Sequence, residues 1–526
     1  MSDSGPADPS DGTDGPDTRS GSGVVRPRPP VRAIDPATSK RKTDGEAPLP
    51  ALYLSDRLLR RNGPGLTRDL DLREALAKLD LEYEVTPGSD GGPREVDSSS
   101  WGTSITLRSM TSPIDPVDAW TVLQQLRAAD GPVAANLSLE HVLRPADGYW
   151  GGVGGYWGGV GGYWGGVGGY WGGVGGSALQ EYSVPGRGGR MPVSLALPDP
   201  GLRAEVLDRN PVIVVPDTEI AKHPWFKDSA KVVRLRMKNG RLVPAESLAD
   251  SRSEAVAPAT FPPGDSSAQA DPPGLLQGHA TFIAGLIRQG CPEATIVSIP
   301  VMGDDGIVDE GVMLDVLQAL LDRHIHGQEH GPVSDVVDVL SLSLGYYAED
   351  STYTSGPVAD MLDRFAESGV AVVAGVGNDG TSSPFVPAAL AAEPPKRILP
   401  KSNPPVASVG ACNPDGTTVA LFSNNLAVVS AVRLGVSVVS TLPLTNGMGQ
   451  PSTKIAVDGT VRCTVDPDDY TGGFGVWSGT SFATPVFAAE LAVALIDQGD
   501  LTDVTARAMR GRAIRALRTC IGKVMS

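Results

Sequence analysis

The stretch Trp477–Ile496, "WSGTSFATPVFAAELAVALI", decides how this chain is read. "SGT" is turn-forming, and from about Ala483 onward the residues suit a long apolar helix. Pro485 fits the first turn of such a helix, where its missing N–H is harmless. Ser481 therefore stands at a helix N-terminus, where the positive end of the peptide dipoles favours negative charge developing beside it.

Upstream, "PVIVVPD" (211–217), "ATIVSIPVM" (294–302), "VVDVLSLSLG" (336–345), "VAVVAGVGN" (370–378) and "PVASVGAC" (405–412) are short runs rich in Val and Ile. Helical patterns such as "VMLDVLQALLDR" (312–323) and "VADMLDRFAESG" (358–369) lie between several of them. Wholly apolar strands alternating with helices predict an α/β fold with a parallel sheet covered on both faces. Chemistry in such sheets sits at the carboxyl ends of the strands. Asp217 ends the first run, and His279 heads the apolar helix "QGHATFIAGLI" (277–287), with Gly278 giving the turn room. Taken singly, such an Asp is more often a turn or cap residue, and such a His a packing residue.

Together, "DTEI", "GHATFIAG", "GVGNDG" and "SGTSFATP", in the chain order Asp, His, Asn, Ser, resemble the subtilisin-like serine protease family over roughly residues 205–500. The resemblance implies that Ser481 is the nucleophile, His279 the general base and Asp217 the residue that holds the imidazole in its working tautomer. It also implies that Asn378 donates its side-chain amide to the oxyanion. Ser343, Leu344 and Gly345, with Gly375, Val376 and Gly377, match the family's walls of the primary specificity pocket, which bind an extended substrate as an added strand. Three positions depart from the family pattern: Glu219 where Gly is usual two residues after the Asp, Ala280 where Gly is usual after the His, and Phe282 in place of a second His. None removes a catalytic group.

A metal and a cofactor are not expected. The short chain after His279 leaves no room for the loop that carries a calcium site in many relatives. The acidic "MGDDGIVDEG" (302–311) reads as a solvated turn. His324, His326 and His330 sit at a helix end, where histidines suit the negative dipole end, with no cysteine or HExxH beside them. His223 in "AKHPWF" matches a structural His-Pro of the family. Residues 227–277 read as a surface insertion, and 501–526 as a helical tail. Cys291, Cys412, Cys463 and Cys520 are widely spaced and read as free thiols.

Residues 1–48, rich in Asp, Ser, Gly and Pro, are expected to lack structure. From 49 to 147 the chain turns globular. "PALYLS", "DLDLREALAKL", "LEYEVTP", "SITLRSM", "DPVDAWTVLQQLRAA" and "ANLSLEHVL" predict β-α-β-β-α-β, a small α+β domain. That order is similar to the inhibitory prodomain of the same family, which implies that the domain acts as an intramolecular inhibitor whose last strand enters the cleft.

Between the two domains, residues 148–176 are four copies of GYWGGVG plus one glycine. Four glycines per heptad defeat a helix at roughly 1 kcal/mol each. The repeat reads as a linker, of reach roughly 30 Å, or as a sticky aromatic segment; residues 177–204 read as further linker.

The net charge of −17 supplies no basic field for nucleic acid. No secretory signal or membrane-spanning run is read in the sequence, so a cytoplasmic monomer is expected. The sequence thus predicts a serine endopeptidase acting on protein or peptide substrates, autoinhibited or self-processed. The alternative is an inactive or permanently inhibited relative that binds partners through its Trp-rich repeat.

Overall fold

The computed structural model describes residues 30–62, 69–88, 101–111, 117–129, 131–145, 190–195, 197–227, 231–245, 276–303, 306–445, 453–467 and 469–521. The GYWGGVG copies at 148–176, the segment 1–29 and most of the insertion between 227 and 277 lie outside the described residues.

The smaller unit begins with β1 (Val31–Ala33), β2 (Leu52–Arg61), α1 (Asp69–Ala77), β3 (Leu81–Val85) and β4 (Gly102–Ser109). It continues through α2 (Ala119–Ala129), α3 (Gly131–Ala134) and β5 (Leu137–Pro145). Strand β2 lies between β4 and β5, all antiparallel, and β3 closes the outer edge. The helices cover one face, where Leu58, Ile105, Leu139, Leu76, Trp120 and Leu123 bury together. Residues 30–48, expected to lack structure, are instead part of this unit: β1 pairs with β2, Ile34 is buried, and Trp120 Nε1 donates to Lys40 O at 2.8 Å.

The larger unit carries β6 (Met191–Pro192), β7 (Val212–Asp217), β8 (Val232–Lys238), β9 (Arg241–Pro244), β10 (Thr295–Pro300) and β11 (Val308–Asp309). There follow β12 (Val339–Leu342), β13 (Leu344–Tyr347), β14 (Ala371–Gly375), β15 (Phe385–Val386), β16 (Ala407–Cys412) and β17 (Ala431–Leu434). The last strands are β18 (Val438–Thr441), the hairpin β19 (Lys454–Val457) and β20 (Thr460–Cys463), and β21 (Phe474–Trp477). Its helices are α4 (His279–Gly290), α5 (Glu310–His330), α6 (Pro357–Ser368), α7 (Thr480–Asp497) and α8 (Ala506–Ile521).

The main sheet has the order β17-β16-β14-β12-β7-β10-β8-β9, parallel except for the β8–β9 edge hairpin. Alternation along β7 sends Ile213 and Val215 to the face covered by α4, α7 and α8, and Val212 and Val214 to the face covered by α5 and α6. Both faces are dry, which is why these strands read as continuous apolar runs. Helix α7 is apolar on all sides and meets the length and composition of a membrane span, yet it is the central helix of the core.

Three sequence boundaries move. The expected surface insertion supplies β8 and β9 to the main sheet. The expected linker is folded from Arg190 onward: β6 pairs with β21, and Arg288 Nε donates to Asp199 at 3.1 Å. The expected C-terminal tail is core, because Met509, Ile514 and Leu517 of α8 are buried and Leu517 packs in the cluster around α7.

A second sheet joins the two units. Its order is β15-β13-β5-β2-β4-β3, with β11 also paired to β5. Strand β5 therefore pairs with the small unit over Leu137–His141 and with the large unit over Val142–Pro145.

Buried polar groups anchor the start of the main sheet. Arg209 donates to both carboxylate oxygens of Asp338 (3.0 and 2.8 Å) and to Val336 O, while Asp338 Oδ2 accepts Val212 N–H at 2.8 Å. Asp338→Ala leaves a buried guanidinium without its counter-charge and should cost about 3–5 kcal/mol. The measurement is the urea midpoint; a loss below about 1 kcal/mol would mean that water already screens the pair.

Candidate active site

Asp217 ends β7 at the carboxyl edge of the main sheet, fully buried, between its neighbours β12 and β10. Its Oδ1 accepts Thr218 N–H at 2.7 Å and pairs with His279 Nδ1 at 2.8 Å. His279 is the first residue of α4, and Gly278 before it has φ +86°. A Cβ on Gly278 would fall 2.4 Å from Pro443 Cδ, so both the backbone conformation and the space demand glycine. Thr218 Oγ1 accepts Ala280 N–H at 3.0 Å, which ties the end of β7 to the start of α4 beside the pair.

An aromatic wall backs the imidazole. Trp477 and Phe482 stand edge-on or tilted to His279, with centroids at 5.6 and 5.4 Å. Phe282 completes this cluster at 4.6 Å from Phe482. Its departure from the family's usual histidine is therefore a packing choice. Glu219 is accounted for as well, since its Oε1 accepts from Arg236 Nη2 at 2.8 Å outside the site.

Helix α7 starts at Thr480, three residues earlier than the sequence suggests, so Pro485 lies inside the helix and not in its first turn. Proline cannot donate to the carbonyl four residues back, which here is Ser481 O. That carbonyl instead accepts Ser343 Oγ at 2.9 Å, and Ser481 Oγ donates to Ser343 O at 3.1 Å. The two serines thus fasten the start of α7 to the chain between β12 and β13.

Asn378 follows β14. Its Oδ1 accepts Thr480 N–H at 2.8 Å, which fixes the orientation of the amide. Its Nδ2 is buried and donates to none of the described residues. Thr480 Oγ1 also accepts Gly377 N–H at 3.2 Å, and Gly377 has φ +95°. Asp217, His279, Asn378 and Ser481, four sequence-selected residues from four elements, thus gather at the carboxyl edge around the first turn of α7.

The selected wall segments leave neighbouring parallel strands, since Leu342 of β12 pairs with Ala374 of β14. Ser343, Leu344 and Gly345 follow the first, Gly375 ends the second, and Val376 and Gly377 follow it, all buried. A Cβ on Gly345 would meet Val386 O at 2.3 Å, so only glycine allows this strand to lie against β15.

Residues outside the sequence-selected set hold this frame. Asn424 accepts Asp379 N–H and Thr381 N–H on Oδ1 at 3.0 and 3.1 Å. Its Nδ2 donates to Val376 O and to Tyr347 Oη at 2.9 and 2.8 Å. It therefore shapes the loop that carries Asn378. No local pattern around "FSNNLA" announces that role.

The other histidines do different work. His223 Nδ1 accepts Trp225 N–H at 3.1 Å and its Nε2 faces Gly473 O; burial lowers its pKa. His324 is buried and accepts Val337 N–H at 2.9 Å, its pKa pushed down by burial to about 4, while His326 and His330 stack on one another. The acidic 302–311 stretch is not simply a solvated turn: Glu310 is buried and faces the small unit.

The model of the subtilase family matches residues 208–518, more than half of the chain. Among solved structures, a Ser-to-Ala variant of the protease domain of PatA is similar at 19% identity, over 60% of this chain and 97% of that one, with a TM-score of 0.35. Fervidolysin from Fervidobacterium pennivorans, a keratinolytic enzyme related to subtilisin, is similar at 16% identity over 85% of this chain and 55% of that one, with a TM-score of 0.44. The prenylagaramide maturation protease PagA is similar at 18% identity over 58% and 94%, with a TM-score of 0.29. On the strength of the family match, which spans every group gathered around α7, the chain belongs to the subtilase family of serine peptidases.

Proposed function

We propose that this endopeptidase cuts peptide bonds with Ser481, His279, Asp217 and Asn378, and that its own N-terminal unit inhibits it. Ser481 Oγ attacks the scissile carbonyl as its proton passes to His279 Nε2. Asp217 accepts from Nδ1–H, which keeps the imidazole in the tautomer whose Nε2 is free to accept, and it stabilises the imidazolium. The proton then goes to the leaving amine, and water repeats the cycle on the acyl-enzyme. The single observation that carries this reading is the pinned amide of Asn378: Thr480 N–H occupies Oδ1, so Nδ2 is a buried donor reserved for a developing oxyanion.

Ser481→Ala should lower turnover on a casein or peptide substrate by roughly 10⁶-fold, and Asn378→Ala by roughly 10²–10³-fold with little change in KM, the losses measured for the corresponding deletions in subtilisin. A fall of equal size in kcat and rise in KM for Asn378→Ala would speak against the oxyanion role. Intact mass should show any self-cleavage disappearing in Ser481→Ala.

The inhibitory role is supported by strand β5. Arg144 pairs with Gly345 and Pro145 with Leu344, while Leu143 pairs with Val308 on the other side. The N-terminal unit thus lays its last strand between β11 and β13 as an added strand, the manner in which an extended peptide is held. His141 fastens it. Its ring stacks on Tyr346 at 4.1 Å between two carboxylates, Nδ1 to Glu310 and Nε2 to Glu349, both at 2.7 Å. Tyr346 Oη donates to Glu310 Oε1, and Glu140 beside it accepts Gly311 N–H.

Two N–H donors facing two carboxylates require the imidazolium. Burial alone would lower the His141 pKa, but Glu349 and Glu310 overcome it and raise the pKa to about 10. Undocked, the group titrates near 6.5, so docking takes up a proton between the two values. The contribution is complete below about pH 6.5 and is lost as pH rises toward about 10. Peptide cleavage by the full chain should therefore rise between about pH 7 and 9 by more than it does in His141→Gln, whose inhibition should be weaker and flatter with pH. Identical pH profiles for the two chains would remove His141 from the inhibitory contact.

A further inference from the structure

Arg144 lies beside a built acidic site on the large unit. Its Nη2 donates to Asp379 Oδ2 at 3.0 Å, and its guanidinium lies 5.3 Å from the centre of the Tyr347 ring. Tyr347 Oη donates to the same Asp379 oxygen at 2.5 Å and accepts from Asn424 Nδ2 at 2.8 Å. Burial, with Asp379 adding to it, keeps the Tyr347 phenol protonated well above its ordinary range. Asn424 also holds the Asp379 backbone N–H at 3.0 Å. Tyr347 thus holds the carboxylate oxygen that faces the guanidinium, and Asn424 holds the backbone of the same residue, on the loop that carries Asn378.

The position of this site along a bound peptide follows from the strand register. Ser343 O accepts Ser481 Oγ, so the residue of a bound strand that faces Ser343 is the one whose carbonyl meets the nucleophile. Antiparallel pairing then sets the preceding residue against Leu344 and the one before that against Gly345, where Arg144 stands in the docked N-terminal strand. We infer that Asp379 and Tyr347 form a specificity subsite for a basic residue, arginine above all, at the third position before the cleaved bond of the substrate. The inference rests on the reading that β5 follows the substrate's path. A planar guanidinium suits both partners, since it donates to the carboxylate and lies against the phenol ring, whereas a lysine offers only a point charge. The Arg144 side chain is 11% exposed and that of Asp379 33%, so the pair is partly screened and its effect should shrink at high salt.

The test uses the full chain and a set of fluorogenic peptides that differ only at the third residue before the cleaved bond: Arg, Lys, Ala or Glu. A ratio of kcat/KM between two peptides does not depend on what fraction of sites the N-terminal strand leaves open. The Arg peptide should be favoured over Ala by about tenfold, with Lys between them and Glu below Ala. Asp379→Asn should bring the Arg-to-Ala ratio near one, and Asp379→Lys should favour Glu. A ratio near one in the unaltered chain overturns the subsite without recourse to any variant. Loss of all cleavage is a separate result: labelling of Ser481 by a fluorophosphonate reports on the catalytic reading alone. Binding of the same peptides to the Ser481→Ala chain, by fluorescence anisotropy, reads the subsite without turnover. The Arg peptide should again bind about tenfold tighter than Ala, and equal binding overturns the proposal whether or not the chain cleaves.

Discussion

The first turn of α7 is where the rest of the structure is tied together. The helix is apolar on every side, so it can exist only with the main sheet on one flank and α4 and α8 on others. Burial fixes its axis, and its N-terminus then has to find polar partners in the same place. Thr480 N–H takes Asn378 Oδ1, Thr480 Oγ1 takes Gly377 N–H, and Ser481 O takes Ser343 Oγ. The last of these is open because Pro485 has no N–H to offer that carbonyl. What would be a helix defect elsewhere becomes the joint between the nucleophile and the strand edge beside it. Phe482, one residue on, reaches the aromatic wall behind His279. A single buried turn thereby sets the relative positions of the ends of β12 and β14 and the head of α4.

The contact between the two units has a consistent polarity. On the small unit Arg57, Arg61, Arg127, His141 and Arg144 each meet an acidic partner on the large one: Asp309, Asp360, Asp350, the Glu310–Glu349 pair and Asp379. Trp101 Nε1 adds a bond to Asp315 at 3.0 Å. Individually, the more exposed of these pairs contribute little to stability. Arranged with one sign on each side, they orient docking and set its register. Backbone pairing of β5 with β11 and β13 supplies the direction of the strand, and the buried imidazolium and guanidinium fix which residue faces which. A chain with a net charge of −17 concentrates part of its acid around the site, and basic groups of its own N-terminal unit answer it.

Local sequence determined a good deal. The Val/Ile runs announced a two-faced parallel sheet because no polar position interrupts them, whereas Asp217, His279, Asn378 and Ser481 were named because the four motifs that carry them, in that chain order, resemble those of the subtilisin-like family. Gly278 was legible as the residue that gives the turn before His279 room, but the close approach at Gly345 and the positive φ of Gly377 came only with the structure. The helical pattern of the small unit and the alternation of "ANLSLEHVL" also lie in nearest-neighbour spacing, which the sequence displays directly.

Only tertiary structure decided the rest, because it depends on partners far apart along the chain. Helix α7 begins at Thr480, ahead of the point its composition suggests, since Asn378 caps a backbone N–H 102 residues away. The supposed insertion joins the sheet as β8 and β9, and the supposed tail packs as α8, because core edges elsewhere are left for them to cover. Glu310 looked like part of a solvated turn until His141, 169 residues earlier, was brought against it. Asn424 carried no local signal at all, yet five of its bonds shape the loop of Asn378 and Asp379. Sequence spacing reports which face a residue presents; burial, and the charge waiting on the opposite surface, report what that face is for.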